Sequence, residues 1–209
     1  MQTADVHGGA RPDGRIFSIG HSNHSLEHFV ELLRLAGIDA VADVRSQPVS
    51  KYSPHFDAAA ISAALRRHGI HYVFLGAELG GRPSGDAYYD AAGHVRYDRL
   101  AESGAFQDGI RRLREGMQKY RIAAMCSEEN PCECHRFLLV ARVLEQQGTP
   151  VLHIRGNGRI QSAEDLAADV ARERGDEGQL ALFPSMQETP WRSIRSVSPR
   201  KLHRNSSVS

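Results

Sequence analysis

Apolar positions along the chain fall into short dense runs that alternate with longer stretches of helical period. Residues 15–20 (RIFSIG), 40–45 (AVADVR), 71–75 (HYVFL), 122–126 (IAAMC) and 151–154 (VLHI) read as five strands. Between them, apolar residues recur three and four apart. Phe29, Leu32, Leu33 and Ala36 share a helix face that Ser25 caps and Gly37 stops. Ile61, Ala64 and Leu65 mark a second helix between Asp57 and Gly69, and Phe106, Ile110, Leu113 and Met117 a third. Further helices are predicted over 131–147 and 163–174. Residues 76–95 are Gly-rich and aperiodic, too long for a plain connection, and are expected to form a functional loop. Short strands alternating with helices predict βαβ units. The expected fold is therefore α/β: a single three-layer domain over 15–175 with a mostly parallel sheet of about five strands. A disordered arm (1–14) precedes it and a flexible tail (176–209) follows.

Ligands of such sheets bind in the crevice at the carboxyl ends of the strands. That rule selects residues 20–23, 43–46, 78–82 and 126–128, and Arg155. The turn carrying Ser22 and Asn23 suits a phosphate or carboxylate held on backbone amides. His21, with an ordinary pKa of about 6.5, is placed for proton transfer, and Glu128 beside Cys126 is a second acid–base candidate. Asp43 and Arg45 are read as pointing to opposite faces, one serving the crevice and the other pairing structurally. Asn130, Pro131 and Glu133 fit a capped helix start, which puts Cys134, His135 and Arg136 in the first turns, near an anion site. Cys134 is then either a thiol activated beside Arg136 or a core residue sharing a face with Leu138 and Ala141. Nine residues separate Cys126 from Arg136, too many for the short anion-cradling loop of a thiolate phosphatase unless Cys132 or Cys134 is the nucleophile. Cys126, Cys132, Cys134 and His135 lack the paired spacing of structural zinc sites, so a metal is not favoured. No cofactor is specified.

Composition narrows the class. A chain of 209 residues with 41% hydrophobic and 24% charged residues suits an ordinary globular domain. It has no run of about 20 apolar residues to cross a membrane, and its first residues lack the pattern of a secretory signal. The three cysteines, all within 126–134, cannot be a disulfide framework and point to a reducing, cytoplasmic setting. The net charge of +1 is unevenly spread: from Pro190 onward there are five basic residues and no acidic one, which leaves −4 for the rest. A globally basic nucleic-acid face is therefore not supported. A short basic tail able to contact DNA phosphates remains.

Five segments together are distinctive: residues 19–25 (IGHSNHS), 43–48 (DVRSQP) with Phe56, 79–81 (LGG), 125–128 (MCSE) and 134–136 (CHR). In this order they resemble the bacterial family called domain of unknown function 488, over roughly residues 15–160. The resemblance implies a compact α/β fold and a shared site at these strand ends. His21, Asn23, Asp43, Arg45, Glu128, Cys134, His135 and Arg136 match its polar signature, and Cys132 is additional to it. Separately, residues 179–183 (QLALF) resemble the pentapeptide with which bacterial DNA polymerases and repair proteins dock on the sliding clamp. Leu180, Leu182 and Phe183 would be the apolar anchors and Gln179 the polar hook, with Ala181 where a polar residue is usual. The alternative is a local turn packing these residues onto the domain.

The expectation drawn from these readings is a hydrolase of DNA or nucleotides, in repair or modification, cleaving a glycosidic or phosphate bond. His21 and Glu128 would transfer protons, and Cys126 or Cys134 would be the nucleophile. Ser22, Asn23, Asp43, Arg45, His135 and Arg136 would bind an anionic small molecule or nucleotide. A non-catalytic nucleotide-binding module and a cysteine-cluster metalloprotein are the alternatives.

Overall fold

The computed structural model describes residues 13–173 and 191–197. β1 (Ile16–Gly20) leads through Ser25, whose hydroxyl accepts from the His28 amide, into α1 (Leu26–Leu35). Gly37, at φ 65°, ends that helix in a conformation that favours glycine. β2 (Ala40–Asp43) stops two residues short of its expected end and passes through a 3₁₀ turn to α2 (Ala58–Arg67). Asp57 holds the cap position of α2, but its carboxylate accepts from the Ser50 amide instead of capping the helix. β3 (His71–Phe74) follows. The expected functional loop contains α3 (Gly76–Leu79) and a 3₁₀ turn, and leads to α4 (Tyr97–Ala101) and α5 (Gly104–Met117). After β4 (Ile122–Cys126) come α6 (Arg142–Gln146), β5 (Val151–Ile154), a two-residue β6 (Ile160–Gln161) and α7 (Ala163–Glu173).

The strands form one sheet in the order β3-β2-β4-β1-β5-β6. All pairings are parallel except β5–β6, so the sheet has the five expected strands and a short antiparallel addition. Strand alternation sorts the core into two layers. Phe17, Ile19, Ala123 and Met125 pack with Phe29, Leu33, Ile61 and Leu65 of α1 and α2. Ile16, Ile122, Ala124 and Cys126 pack on the other face with Phe106, Ile110, Leu113 and Leu139. The chain is thus a three-layer α/β domain. Leaving β2, it moves outward to β3; leaving β4, it moves the other way to β5. The ends of these two neighbouring strands therefore flank a switch point, where such sheets open a crevice.

The helix expected over 131–147 is broken. Asn130 accepts from the Cys132 amide as predicted, but only one 3₁₀ turn, Pro131–Glu133, follows. Cys134 is extended (φ −119°, ψ 143°), and its carbonyl accepts from the amides of Phe137 and Leu138. It thereby becomes the backbone cap of a second helix, a π-helical turn over Arg136–Ala141 that runs into α6. The break takes Cys134 out of the helix, yet it stays buried in the same core cluster as Ala141, with Leu138 packed against that cluster.

Residues 191–197, in the stretch expected to be a flexible tail, lie against the domain. The Trp191 indole donates to the Leu138 carbonyl at 3.0 Å and lies under the Arg142 guanidinium, and Arg192 pairs with Arg96 as a β-bridge. Most of the expected arm and the clamp-like peptide, Gln179, Leu180, Leu182 and Phe183, lie outside the described residues.

Candidate functional site

A cleft of about 340 Å³ opens at the switch point. The segments after β2 and β4 line it through Arg45, Ser46, Cys126 and Glu128. The Gly81–Arg82 turn and residues 193–197 close its sides. The pleat of β4 settles the aim of Cys126: it shares a face with Ile122 and Ala124 and so meets Cys134 beneath the cleft. The Cys126 thiol donates to Oε2 of Glu128 at 3.2 Å and lies 3.6 Å from Nδ1 of His135. Cys134 Sγ lies 3.9 Å from the same Nδ1 and accepts from the Arg136 amide at 3.5 Å. The three ligand atoms Sγ126, Sγ134 and Nδ1 135 all lie within 4.8 Å of one another.

Burial and mutual contact shift these groups. Hydrogen bonding with Cys134 and burial push the Cys126 thiol up. Burial also pushes Cys134 up, but its hydrogen bond with Cys126 and the nearby Arg136 charge outweigh this and hold it well below the usual thiol range. Burial raises Glu128, and the charge of Cys134 adds to the effect. Burial lowers His135, yet the contact with Cys134 reverses the balance and its pKa is raised.

His135 is held from two sides. Its Nε2 lies 3.0 Å from the Val44 carbonyl, which can only accept. Gly81 passes against the other side of the ring, where a Cβ would sit 2.6 Å from His135 Cγ. The glycine is needed here for close approach, with no need of an unusual φ.

The remaining predicted site residues support the cleft more than they line it. His21, 3% exposed, is not among its lining residues. The ring stacks on Phe56 at 4.4 Å, and Arg45 Nη1 donates to its Nε2 at 3.1 Å. An arginine can only donate, so Nε2 is the acceptor and Nδ1–H bonds the Ser22 carbonyl at 2.9 Å. Burial, helped by the Arg45 charge, pushes His21 down to about 4, so it is neutral at pH 7 with its basic nitrogen already engaged. Asp43 and Arg45 do not diverge to opposite faces as expected. Residues two apart on a strand share a face, and here they form a buried ion pair at 2.6 Å, with the Tyr72 hydroxyl donating to Asp43 at 2.8 Å.

Arg136, 1% exposed, gives its guanidinium to the Glu128 and Glu129 carbonyls and the Ser18 hydroxyl, holding the 127–130 loop. It is not part of the cleft lining. Ser22, at φ 47°, ties the β1 turn to β4 by donating its amide to the Ser127 carbonyl, and its hydroxyl reaches Asn23. Neither Ser22 nor Asn23 lines the cleft. Arg155 is paired with Glu129 at 2.8 Å.

Several contributors escaped the sequence reading, three of them polar. Tyr97, Ser193 and Arg195 line the cleft from segments with no strand-end signal. The one available clue was a lone Trp191 inside an otherwise polar, basic stretch.

Among the described residues no helix is long and apolar enough to cross a membrane. No curated protein and no solved structure matches the chain. The model of the family described as domain of unknown function DUF488 matches residues 25–143, more than half of the sequence. That span carries Arg45, the Gly81 turn and the Cys126–Glu128–Cys134–His135 cluster, and the chain belongs to the DUF488 family.

Proposed function

We propose that the cleft is the active site of a hydrolase acting on a phosphate-bearing substrate of the nucleotide or DNA class, at a glycosidic or phosphate bond. One observation carries this reading: a carboxylate, two thiols and an imidazole converge beneath a polar cleft lined by Arg45, Arg82 and Arg195. Arg82 and Arg195 supply charge for an anionic group, while the Arg45 charge is balanced by buried Asp43. Glu128, at the cleft and in contact with Cys126, is the proton-transfer residue. His21 serves as a positioning residue through Arg45 and is not itself placed to take a proton from substrate.

The test is product analysis over a panel of nucleotides and single- and double-stranded DNA, comparing the intact chain with E128Q. Turnover is expected to fall by roughly 10²–10⁴-fold in the variant, the range typical of a lost acid–base group, with circular dichroism unchanged. Wild-type turnover by E128Q would overturn the assignment. Tight nucleotide binding without conversion across the panel would make the protein a binding module instead.

Recruitment to DNA through residues 179–183 belongs to the same proposal and rests on the pentapeptide itself. Replacing Leu182 and Phe183 by Ala tests it better than truncation, which would also remove the docked Trp191. Loss of sliding-clamp binding by the double variant is expected; equal binding would return these residues to ordinary packing.

A further inference from the structure

We infer that Cys126, Cys134 and His135 form a binding site for a tetrahedral divalent metal ion of the zinc class, with its fourth position open to the cleft. The three donor atoms lie within 4.8 Å of one another, and their S···N edges are those of a tetrahedral site. Zn–S bonds of about 2.3 Å and Zn–N bonds of about 2.0–2.1 Å set tetrahedral S···N edges of about 3.6 Å. The two edges here are 3.6 Å and 3.9 Å. Two sulfurs and one imidazole nitrogen form a soft to borderline donor set that suits zinc and not magnesium or calcium.

The surroundings of the three donors point the same way. The Val44 carbonyl accepts from Nε2, so in the neutral ring the proton resides there and the lone pair of Nδ1 faces both sulfurs. A carbonyl in this position fixes tautomer and ring orientation for a metal-bound histidine. The Arg136 amide donates to Cys134 Sγ, as befits a thiolate ligand. The two thiol protons leave when the metal binds.

The site is of the open kind. Structural zinc takes four protein ligands, whereas catalytic zinc takes three and keeps a position for water or substrate. Glu128 lies beside Cys126 and lines the cleft together with Cys126 and His135. In the hydrolase reading, on which this clause rests, the ion would activate water at the open position and Glu128 would receive its proton. Cys132 stands outside the cluster and serves as the internal control.

The experiment uses the full chain purified under reducing conditions. Elemental analysis is expected to find about one zinc per chain. After chelation, cobalt(II) is expected to restore the intense visible bands of a tetrahedral site together with thiolate-to-metal charge transfer. C132S should keep these bands, and C134S and H135Q should lose them. Should C134S or H135Q fail to fold, differential alkylation of the wild-type chain decides: zinc is expected to protect Cys126 and Cys134 and leave Cys132 reactive. No stoichiometric metal together with a weak octahedral cobalt spectrum, or equal alkylation of all three thiols with and without zinc, overturns the site. The cobalt spectrum needs no substrate, so a loaded site in a protein that converts nothing would refute the hydrolase reading alone.

Discussion

The Asp43–Arg45 pair shows how a single side chain governs the site. Asp43 is fully buried and Arg45 is 3% exposed, so each charge depends on the other. Removing one partner leaves an uncompensated buried charge, at a cost of about 3–5 kcal/mol. D43A is expected to lose about that much in urea unfolding. Y72F, which deletes only the hydroxyl donor to Asp43, should lose about 1 kcal/mol. A D43A variant as stable as wild type would mean that water reaches Arg45. Gly81 makes the complementary point, since a methyl there collides with the His135 ring. G81A should keep the fold and shift His135, read as altered cobalt bands and lost turnover.

Among the elements, α6 and the start of α7 bring two carboxylates together. Burial, reinforced by the nearby Glu164, raises Glu145 to about 7 from 4.5. The folded chain therefore binds this proton more tightly than the unfolded chain does. Stability from this group is present at low pH and is lost as pH rises from about 4.5 through 7. E145Q is expected to match wild type below that window and to be the more stable protein above it, with the gap levelling off beyond pH 7. Thermal unfolding across pH 4–9 measures the difference, and a constant gap would refute the assignment.

At the scale of the molecule, the docked segment 191–197 joins the far end of the chain to the cleft. Trp191 anchors it, while Ser193 and Arg195 form part of the cleft wall. Arg195 also reaches Glu133 at 2.9 Å, an exposed pair that contributes little by itself. W191A is expected to keep the sheet, to expose the segment to limited proteolysis, and to weaken binding of a nucleotide or phosphate at the cleft. Unchanged proteolysis and unchanged anion binding would show that the anchor lies elsewhere.

Local pattern was enough for the elements themselves. Short apolar runs and helical spacing announced the five strands and the α1 cap at Ser25, because these depend on neighbours a few residues away, and the alternation of strand with helix then implied the parallel, three-layer arrangement. The strand-end rule likewise pointed to Arg45, Cys126 and Glu128. What the chain order concealed was convergence. Spacing argued against a metal because paired-ligand rules describe local knuckles, whereas here one sulfur comes from a strand end and the other two donors from a helix break. That break was itself illegible: Asn130 and Pro131 signal a helix start, and only packing of Cys134 against β4 decides where the helix resumes. The partners of His21 and Arg136 were hidden for the same reason. Both are polar residues at plausible ends, but burial commits their donors and acceptors to Arg45 and to loop carbonyls, and which partner a buried group finds is decided by the assembled fold.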